Sequence, residues 1–364
     1  MTIIDAAPHP DGTIPSFPLS ANGMPHPLTH TAASFKAAML AADRLIIDGR
    51  ATSDEVQARV TTACDALSEQ IRFHLQAGTP DADEMGAFVH RETYPYLGLS
   101  TLVDRSYTKP RGYAGDYLTL QMVYDDQPDG VRRLGPYIDR WFLDIPASCA
   151  VKNRRQLLRD IIIDTASACP DRPIAITSLA CGPAREIFDI FGEPDHPDII
   201  ATCLDIDDQA LAYAQSIADS VGVTGEVAFV QANVVKLALG RQSLELGDQD
   251  LVYSIGLIDY LADHLVIKLL DWIHHRLRPG GTAIVGNFDV DNPDRAFMDH
   301  LLDWKLIHRS PQDLADLFAQ SEFGHAPVEV RREATGINLF ASAHRPTGKP
   351  FGDPDGPPGV IVEK

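Results

Sequence analysis

Cysteine is scarce in this chain of 364 residues, and basic residues are in deficit. The five cysteines, Cys64, Cys149, Cys169, Cys181 and Cys203, are odd in number, widely spread and form no Cys-x-x-Cys pair, which argues against a disulfide framework and a zinc site. Lys and Arg total 31 against 51 Asp and Glu, and the resulting net charge of −20 repels phosphate backbones and anionic lipid headgroups. Nucleic acid and membrane surfaces are therefore not expected as partners, although Arg132-Arg133 and the stretch from Lys152 to Arg155 concentrate positive charge locally. No run reaches the ~18 apolar residues of a membrane helix, and the first residues have neither the basic start nor the apolar stretch of a signal peptide. A cytoplasmic protein without membrane insertion is expected. His90, His274, His275, His300, His308 and His325 show no metal-ligand spacing, so no metal is expected.

The composition, 45% hydrophobic and 23% charged, is that of an ordinary globular protein large enough for two domains. Residues 1–30, with six prolines among small polar residues, read as a flexible arm, and residues 345–364 as a flexible tail. Residues 31–149 read as a helical accessory domain. Its second helix is announced by the capping-box pattern Thr52-x-x-Glu55, and Val56, Val60, Ala63, Leu67 and Ile71 follow on one face. Within this domain, Ser106 to Tyr117 mixes glycines with Tyr107, Tyr113 and Tyr117, a composition suited to a lid over a cleft. From residue 150 to 344 short apolar runs alternate with helical patterns. They begin at Ile174, Ile199, Val227, Asp250 and Thr282, which implies an α/β fold with a doubly wound, mostly parallel sheet. Val328–Glu333 and Ile337–Ala343, joined through Gly336, add a C-terminal antiparallel hairpin.

Ligands of such sheets sit outside the carboxyl ends of the strands, so the loops after these runs should meet at one crevice. The first loop carries Ala180, Gly182 and Pro183. The second carries Asp205 and Ile206, with Asp205 lying 23 residues after Gly182, where a carboxylate can take two ribose hydroxyls. Asn233 and Val234 follow the third run, and a carboxamide there can read the edge of an adenine ring. Ser254 and Gly256 follow the fourth. A phosphate cradle is missing: of Gly-x-Gly-x-x-Gly only Gly182 is kept, with Ala180 at the first position, and Glu186, next to the third, disfavours a nearby phosphate. A ribose- and adenine-containing ligand without phosphate, S-adenosylmethionine, fits better than a dinucleotide.

Ser178-Leu-Ala-Cys-Gly-Pro-Ala184, Leu204-Asp-Ile-Asp207 and Gln231-Ala-Asn233 resemble the glycine-rich, ribose and adenine motifs of the class I S-adenosylmethionine-dependent methyltransferases. The resemblance spans roughly residues 150–344. Ser178 stands where most members carry an acidic residue, and Ala180 and Ala184 replace two of three usual glycines. Lys109–Tyr117, Tyr253–Tyr260 and Asn287-Phe with Asn292–Phe297 further resemble a bacterial subgroup, some of whose members are described as making the methyl ester of 3-hydroxypalmitic acid. The resemblance implies methyl transfer to a small-molecule acceptor, with O-methylation of a carboxylate such as a hydroxy fatty acid as the finer expectation. The alternative is a catalytically inactive nucleoside-binding regulatory or scaffolding protein. A homo-oligomer is compatible with either.

Transfer of a methyl group from a sulfonium needs alignment in a dry site more than it needs a base. Tyr113, Asp259 and Tyr260 are the candidate catalytic residues, the last two lying just beyond the fourth strand. Tyr107, Arg111, Tyr117, Arg154, Asn287 and Arg295 are the candidate acceptor-binding residues, the arginines as carboxylate partners. Arg309 is a further arginine of this kind.

Overall fold

The computed structural model describes residues 26–76, 78–347 and 360–362. In chain order the helices are α1 (Pro27–Asp48), α2 (Ser53–His74), α3 (Ala82–Leu97), α4 (Thr101–Thr108), α5 (Tyr117–Asp125), α6 (Gly135–Asp144), α7 (Pro146–Ser167), α8 (Arg185–Phe191), α9 (Asp208–Val221), α10 (Val234–Ala238), α11 (Asp263–Arg276), α12 (Arg295–Leu301) and α13 (Pro311–Ala319). The strands are β1 (Ile174–Leu179), β2 (Ile199–Asp205), β3 (Val227–Gln231), β4 (Gln249–Ser254), β5 (Leu277–Phe288), β6 (Val328–Arg332), β7 (Asn338–His344) and β8 (Val360–Val362). Of the expected arm, residues 1–25 lie outside the described residues, and Pro27 already opens α1.

Two compact units divide the chain, each assembled from three stretches. The helical unit takes the residues up to Thr108, Pro128–Phe142 and Asp294–Trp304. The sheet unit takes Lys109–Gln127, Leu143–Pro293 and the residues from Lys305 onward. This differs from the boundary read from the sequence at 149/150, because residues 109–127 cluster with the sheet and 294–304 with the helices.

In the helical unit, Thr52 and Glu55 form the expected capping box at the start of α2. The helix buries Val56, Val60, Cys64, Leu67 and Ile71, with Cys64 in place of the expected Ala63. A turn of α3 comes so close to α12 that a Cβ at Gly86 would stand 2.5 Å from His300 Nδ1, so only glycine fits there. Buried Asp139 accepts from the Ser100 hydroxyl and from the backbone N–H groups of Leu102 (3.2 Å) and Asp129 (2.8 Å), fixing the start of α4.

In the sheet unit the strand order is β3-β2-β1-β4-β5-β7-β6-β8. Strands β1 to β5 run parallel, and β7 is antiparallel to both β5 and β6, as the α/β reading with a terminal hairpin expects. Side chains alternate across the sheet. Leu179, Val252, Ala283, Val285, Leu339 and Ala341 meet α11 and α13, whereas Ile174, Ile176, Leu251, Tyr253, Ile284 and Phe340 meet α7, α8 and α9. Full burial of each large apolar side chain contributes about 1.5–3 kcal/mol, so the core below the crevice is rigid on both faces.

Two details depart from the sequence reading. The fifth run, expected to begin at Thr282, already includes Arg278-Pro-Gly-Gly281 as part of β5, and the β4–β5 pairing shifts register between Gln249 and Leu251. Gly281 is needed there, since a Cβ would come within 2.8 Å of the Gln249 carbonyl oxygen. In the expected tail, Val360–Val362 form β8 and pair in parallel with β6.

Candidate active site

The loop after β1 turns by three residues in the left-handed region, Ala180 (φ 55), Gly182 (φ 52) and Ala184 (φ 49). For alanine this conformation costs roughly 1–2 kcal/mol, so the backbone path normally built from glycines is kept here at the expense of strain. Bonds from neighbouring loops hold it. Cys181 N–H donates to the Leu204 carbonyl (2.9 Å), and Gly182 N–H donates to Asp205 Oδ2 (2.8 Å).

Asp205 ends β2 nearly buried, with its Oδ1 accepting from Asp207 N–H (2.9 Å). Burial pushes its carboxyl above the ordinary value against the pull of the Asp207 and Gly182 N–H groups. Each oxygen spends one lone pair on backbone and retains another for a ligand hydroxyl. Beside it Ile206 is 59% exposed, an apolar face at the same strand end. After β3, Asn233 caps α10, its Oδ1 accepting from Lys236 N–H at 2.9 Å, which leaves the NH2 end of the carboxamide and one lone pair for an adenine ring.

The glycine- and tyrosine-rich segment is tied to two of these loops. Arg111 embraces Asp207 through Nε (3.0 Å) and Nη2 (2.6 Å) and donates through Nη1 to Gln209 (2.6 Å). Tyr113 adds its hydroxyl to Asp207 Oδ2 at 3.0 Å. Burial would raise the Asp207 carboxyl, but the bonds from Arg111 and Tyr113 outweigh it and hold the group below its usual range. At the other end, the Tyr260 hydroxyl donates to the Ala114 carbonyl at 3.3 Å. Tyr117 packs against Tyr213, with the Arg111 guanidinium 5.0 Å from its ring centre. Leu120 of α5 lies 3.8 Å from the position a Gly182 Cβ would take. Residues 111–120 thus bridge the loops that follow β1, β2 and β4.

Beyond β4, Asp259 is buried and its Oδ1 accepts from Phe288 N–H at 2.8 Å. Burial lifts its pKa to about 6, opposed by the Phe288 N–H and by Arg154 and Arg309. Arg309 organises this loop: it donates to the carbonyls of Ile258 (2.8 Å) and Leu261 (2.6 Å), to Asp263 Oδ1 (2.7 Å) and to Asn287 Oδ1 (2.8 Å). Beneath the β1 loop, Tyr253 donates to Glu186 Oε1 at 2.9 Å inside the core, and burial raises the Glu186 carboxyl.

The sheet unit therefore gathers Ala180, Gly182, Pro183, Asp205, Ile206, Asn233, Val234, Gly256, Asp259 and Tyr260 on the loops at one end of β1–β4, with Arg111 and Tyr113 anchored to them. Other expected residues are placed differently. Ser254 Oγ is fully buried and donates to the Leu179 carbonyl (3.0 Å), a link between strands. Asn287 is fully buried too, its Nδ2 donating to the carbonyls of Phe288 and Ile307 while Arg309 occupies its Oδ1, so no part of it is left for an acceptor. Arg111 is spent on Asp207 rather than on a carboxylate ligand, and Arg309 is spent on the loop after β4. Tyr107 and Arg295 belong to the helical unit, Tyr107 with its ring 4.2 Å from that of His90 and Arg295 paired with Asp299 at 3.6 Å. Sequence reasoning missed Tyr124, a phenol of α5 hydrogen-bonded to Arg154, for which no local pattern gives a signal; Tyr253 stood in a motif but was assigned no role.

Residues 110–289 match the model of a family described as putative methyltransferase, which bears out the expected enzyme class. Among curated proteins none matches the chain. Among solved structures, the chain is similar to a possible exported protein from Bordetella parapertussis, 20% identical, covering 80% of this chain and 97% of that one with a TM-score of 0.56. It is more distantly similar to the S-adenosylmethionine-dependent methyltransferase SibL in its apo form (16% identity, 88% and 98% of the two chains, TM-score 0.44). Magnesium protoporphyrin IX methyltransferase from Synechocystis PCC 6803 with bound S-adenosylhomocysteine stands similarly far (11% identity, 67% and 98%, TM-score 0.45). The first similarity is one of fold.

Proposed function

We propose that this chain, which carries the pattern of the methyltransferase family across residues 110–289, is an S-adenosylmethionine-dependent methyltransferase acting on a small-molecule acceptor by O-methylation of a carboxylate such as that of a hydroxy fatty acid. The observation that carries the cofactor reading is Asp205: a carboxylate at the end of β2, bonded to Gly182 N–H at 2.8 Å and Asp207 N–H at 2.9 Å, with lone pairs left for two vicinal hydroxyls. Ile206 offers an apolar face to the adenine, and the Asn233 amide its edge. Bound there, the cofactor supplies an electrophilic methyl group on a sulfonium. The protein's task is alignment and exclusion of water, and residues 111–120, with Tyr113 and Tyr260, are suited to closing the crevice. A carboxylate acceptor is already nucleophilic and asks for no base. Asp259 then acts on the polarity of the acceptor end rather than by taking a proton.

The inactive, nucleoside-binding alternative drew its support from the missing glycines. Ala180 and Ala184 hold the left-handed backbone regardless, so that support falls away. The test is incubation of the full chain with methyl-labelled S-adenosylmethionine and a panel of long-chain hydroxy acids, their methyl esters and the matching alcohols. Label should enter the acids alone, with one S-adenosylhomocysteine formed per ester. Label in the alcohols would overturn the carboxylate reading, and failure to bind S-adenosylhomocysteine the whole assignment.

A further inference from the structure

Arg154 of α7 is 4% exposed, and its Nε has no hydrogen-bond partner among the described residues. A guanidinium sunk to that depth is ordinarily bonded on every side, because desolvating a charge without compensation is costly. Of the groups around it, the Tyr124 hydroxyl accepts a hydrogen bond from the guanidinium, and the two nearby carboxylates are engaged elsewhere. Glu186 takes the Tyr253 hydroxyl (2.9 Å), and Asp259 takes Phe288 N–H (2.8 Å). The helix turn that carries it is fixed from outside, since neighbouring Asn153 donates to Glu333 Oε2 at 2.9 Å.

The loop after β4 leaves room in front of this cation. A Cβ at Gly256 would stand 3.4 Å from Nη2, 3.8 Å from Nη1 and 3.9 Å from Cζ, and no other group lies among the three nearest atoms. Gly256 has no left-handed φ to account for its identity. What its missing side chain provides is access to the guanidinium from the crevice side of β4. A rigid, planar donor fork in a low-dielectric setting favours a planar, bidentate anion over a spherical one.

We propose that buried Arg154, approached past Gly256, is a carboxylate-binding subsite of the crevice. The inference rests on the methyltransferase reading and adds to it the charge and shape of one ligand group. That carboxylate comes either from the amino-acid end of the cofactor or from the acceptor.

Calorimetry on the full chain separates the two sources, with S-adenosylhomocysteine, 5′-methylthioadenosine (the same nucleoside thioether without an amino-acid end) and octanoate as probes. In the first case Arg154→Met weakens S-adenosylhomocysteine at least tenfold and leaves 5′-methylthioadenosine unchanged. In the second it leaves both nucleosides unchanged and abolishes octanoate binding to the S-adenosylhomocysteine-loaded protein. Either result supports the subsite. Unchanged affinity for all three probes overturns it, and so does an equal loss for both nucleosides, which marks a structural role. Because the substitution removes the bond to Tyr124 together with the buried charge, a thermal melt of the ligand-free variant accompanies the calorimetry. Should the variant not fold, Gly256→Ala carries the same test by filling the gap. If the wild-type chain binds neither nucleoside, the cofactor reading fails by itself, and octanoate alone decides on Arg154.

Discussion

Asp259 makes the most quantitative prediction. Its native pKa of about 6 stands against an ordinary value of 3.8, with burial as the main cause. At about 1.4 kcal/mol per pH unit of separation, the ionised form is ~3 kcal/mol less compatible with the folded state than with the unfolded chain. The native protein binds this proton more tightly. The contribution of the protonated group to stability is therefore complete below pH 4 and is lost as pH rises through about 6. Asp259→Asn keeps an acceptor for Phe288 N–H and removes the titration. It should be ~3 kcal/mol more stable than the wild type at pH 8 and equal to it near pH 4. Amide hydrogen exchange of the peptide covering β5 reads the sheet unit by itself, whatever the helical unit does. Its protection in the variant relative to the wild type should rise about 30-fold between pH 4.5 and pH 8. A ratio that stays constant over that range would show that Asp259 is not held in a charge-averse environment, and the burial argument would be wrong.

Three further outcomes are expected. Asp205→Ala should weaken S-adenosylhomocysteine binding at least tenfold by calorimetry, given about 1.5–3 kcal/mol per hydrogen bond to a charged partner; unchanged affinity would remove Asp205 from the site. Ala180→Gly should raise stability by about 0.5–1 kcal/mol, the relief of left-handed strain less the added freedom of the unfolded chain, whereas fully buried Ala184→Gly should gain less because its methyl is packed; urea melts of both decide this. Tyr113→Phe removes a bond to Asp207 that is half open to solvent, so residues 112–116 should exchange faster and methyl transfer should suffer more than cofactor affinity; an unchanged turnover would detach the hydroxyl from the reaction.

What could be read in advance, and what could not, divides by the distance over which a residue's role is decided. β1, β2 and β3 are apolar runs whose ends carry their own punctuation, so Gly182, Asp205 and Asn233 were legible from neighbours within a few positions. Ser254 and Asn287 were expected in the crevice because each was placed at the edge of a loop after its strand, whereas both lie inside β4 and β5. Their burial follows instead from which sheet face the alternation assigns them, and Asn287 also depends on Arg309, 22 residues further on. Arg278-Pro-Gly-Gly281 looks like a turn locally, yet the backbone of Gln249 in the adjacent strand decides that it is strand. The division into units was hidden for the same reason: residues 109–127 lack any strand or sheet pattern of their own and join the sheet unit only through contacts such as Arg111 with Asp207. Conversely, the loss of glycines at Ala180 and Ala184 suggested a changed loop, and the backbone shows that alanine can hold the same turn.

The way the chain shuttles between its two units has a consequence for synthesis. The order helical, sheet, helical, sheet, helical, sheet means five passages from one to the other. The helical unit cannot be complete when Phe142 leaves the ribosome, because α12 arrives only after β5. The sheet unit in turn waits for β7, without which β5 is an open edge capable of pairing with another nascent chain. Neither unit can be finished while the other is still missing, so maturation should be late and nearly simultaneous for both. A stalled chain ending near residue 290 should be one of the most aggregation-prone lengths this sequence passes through.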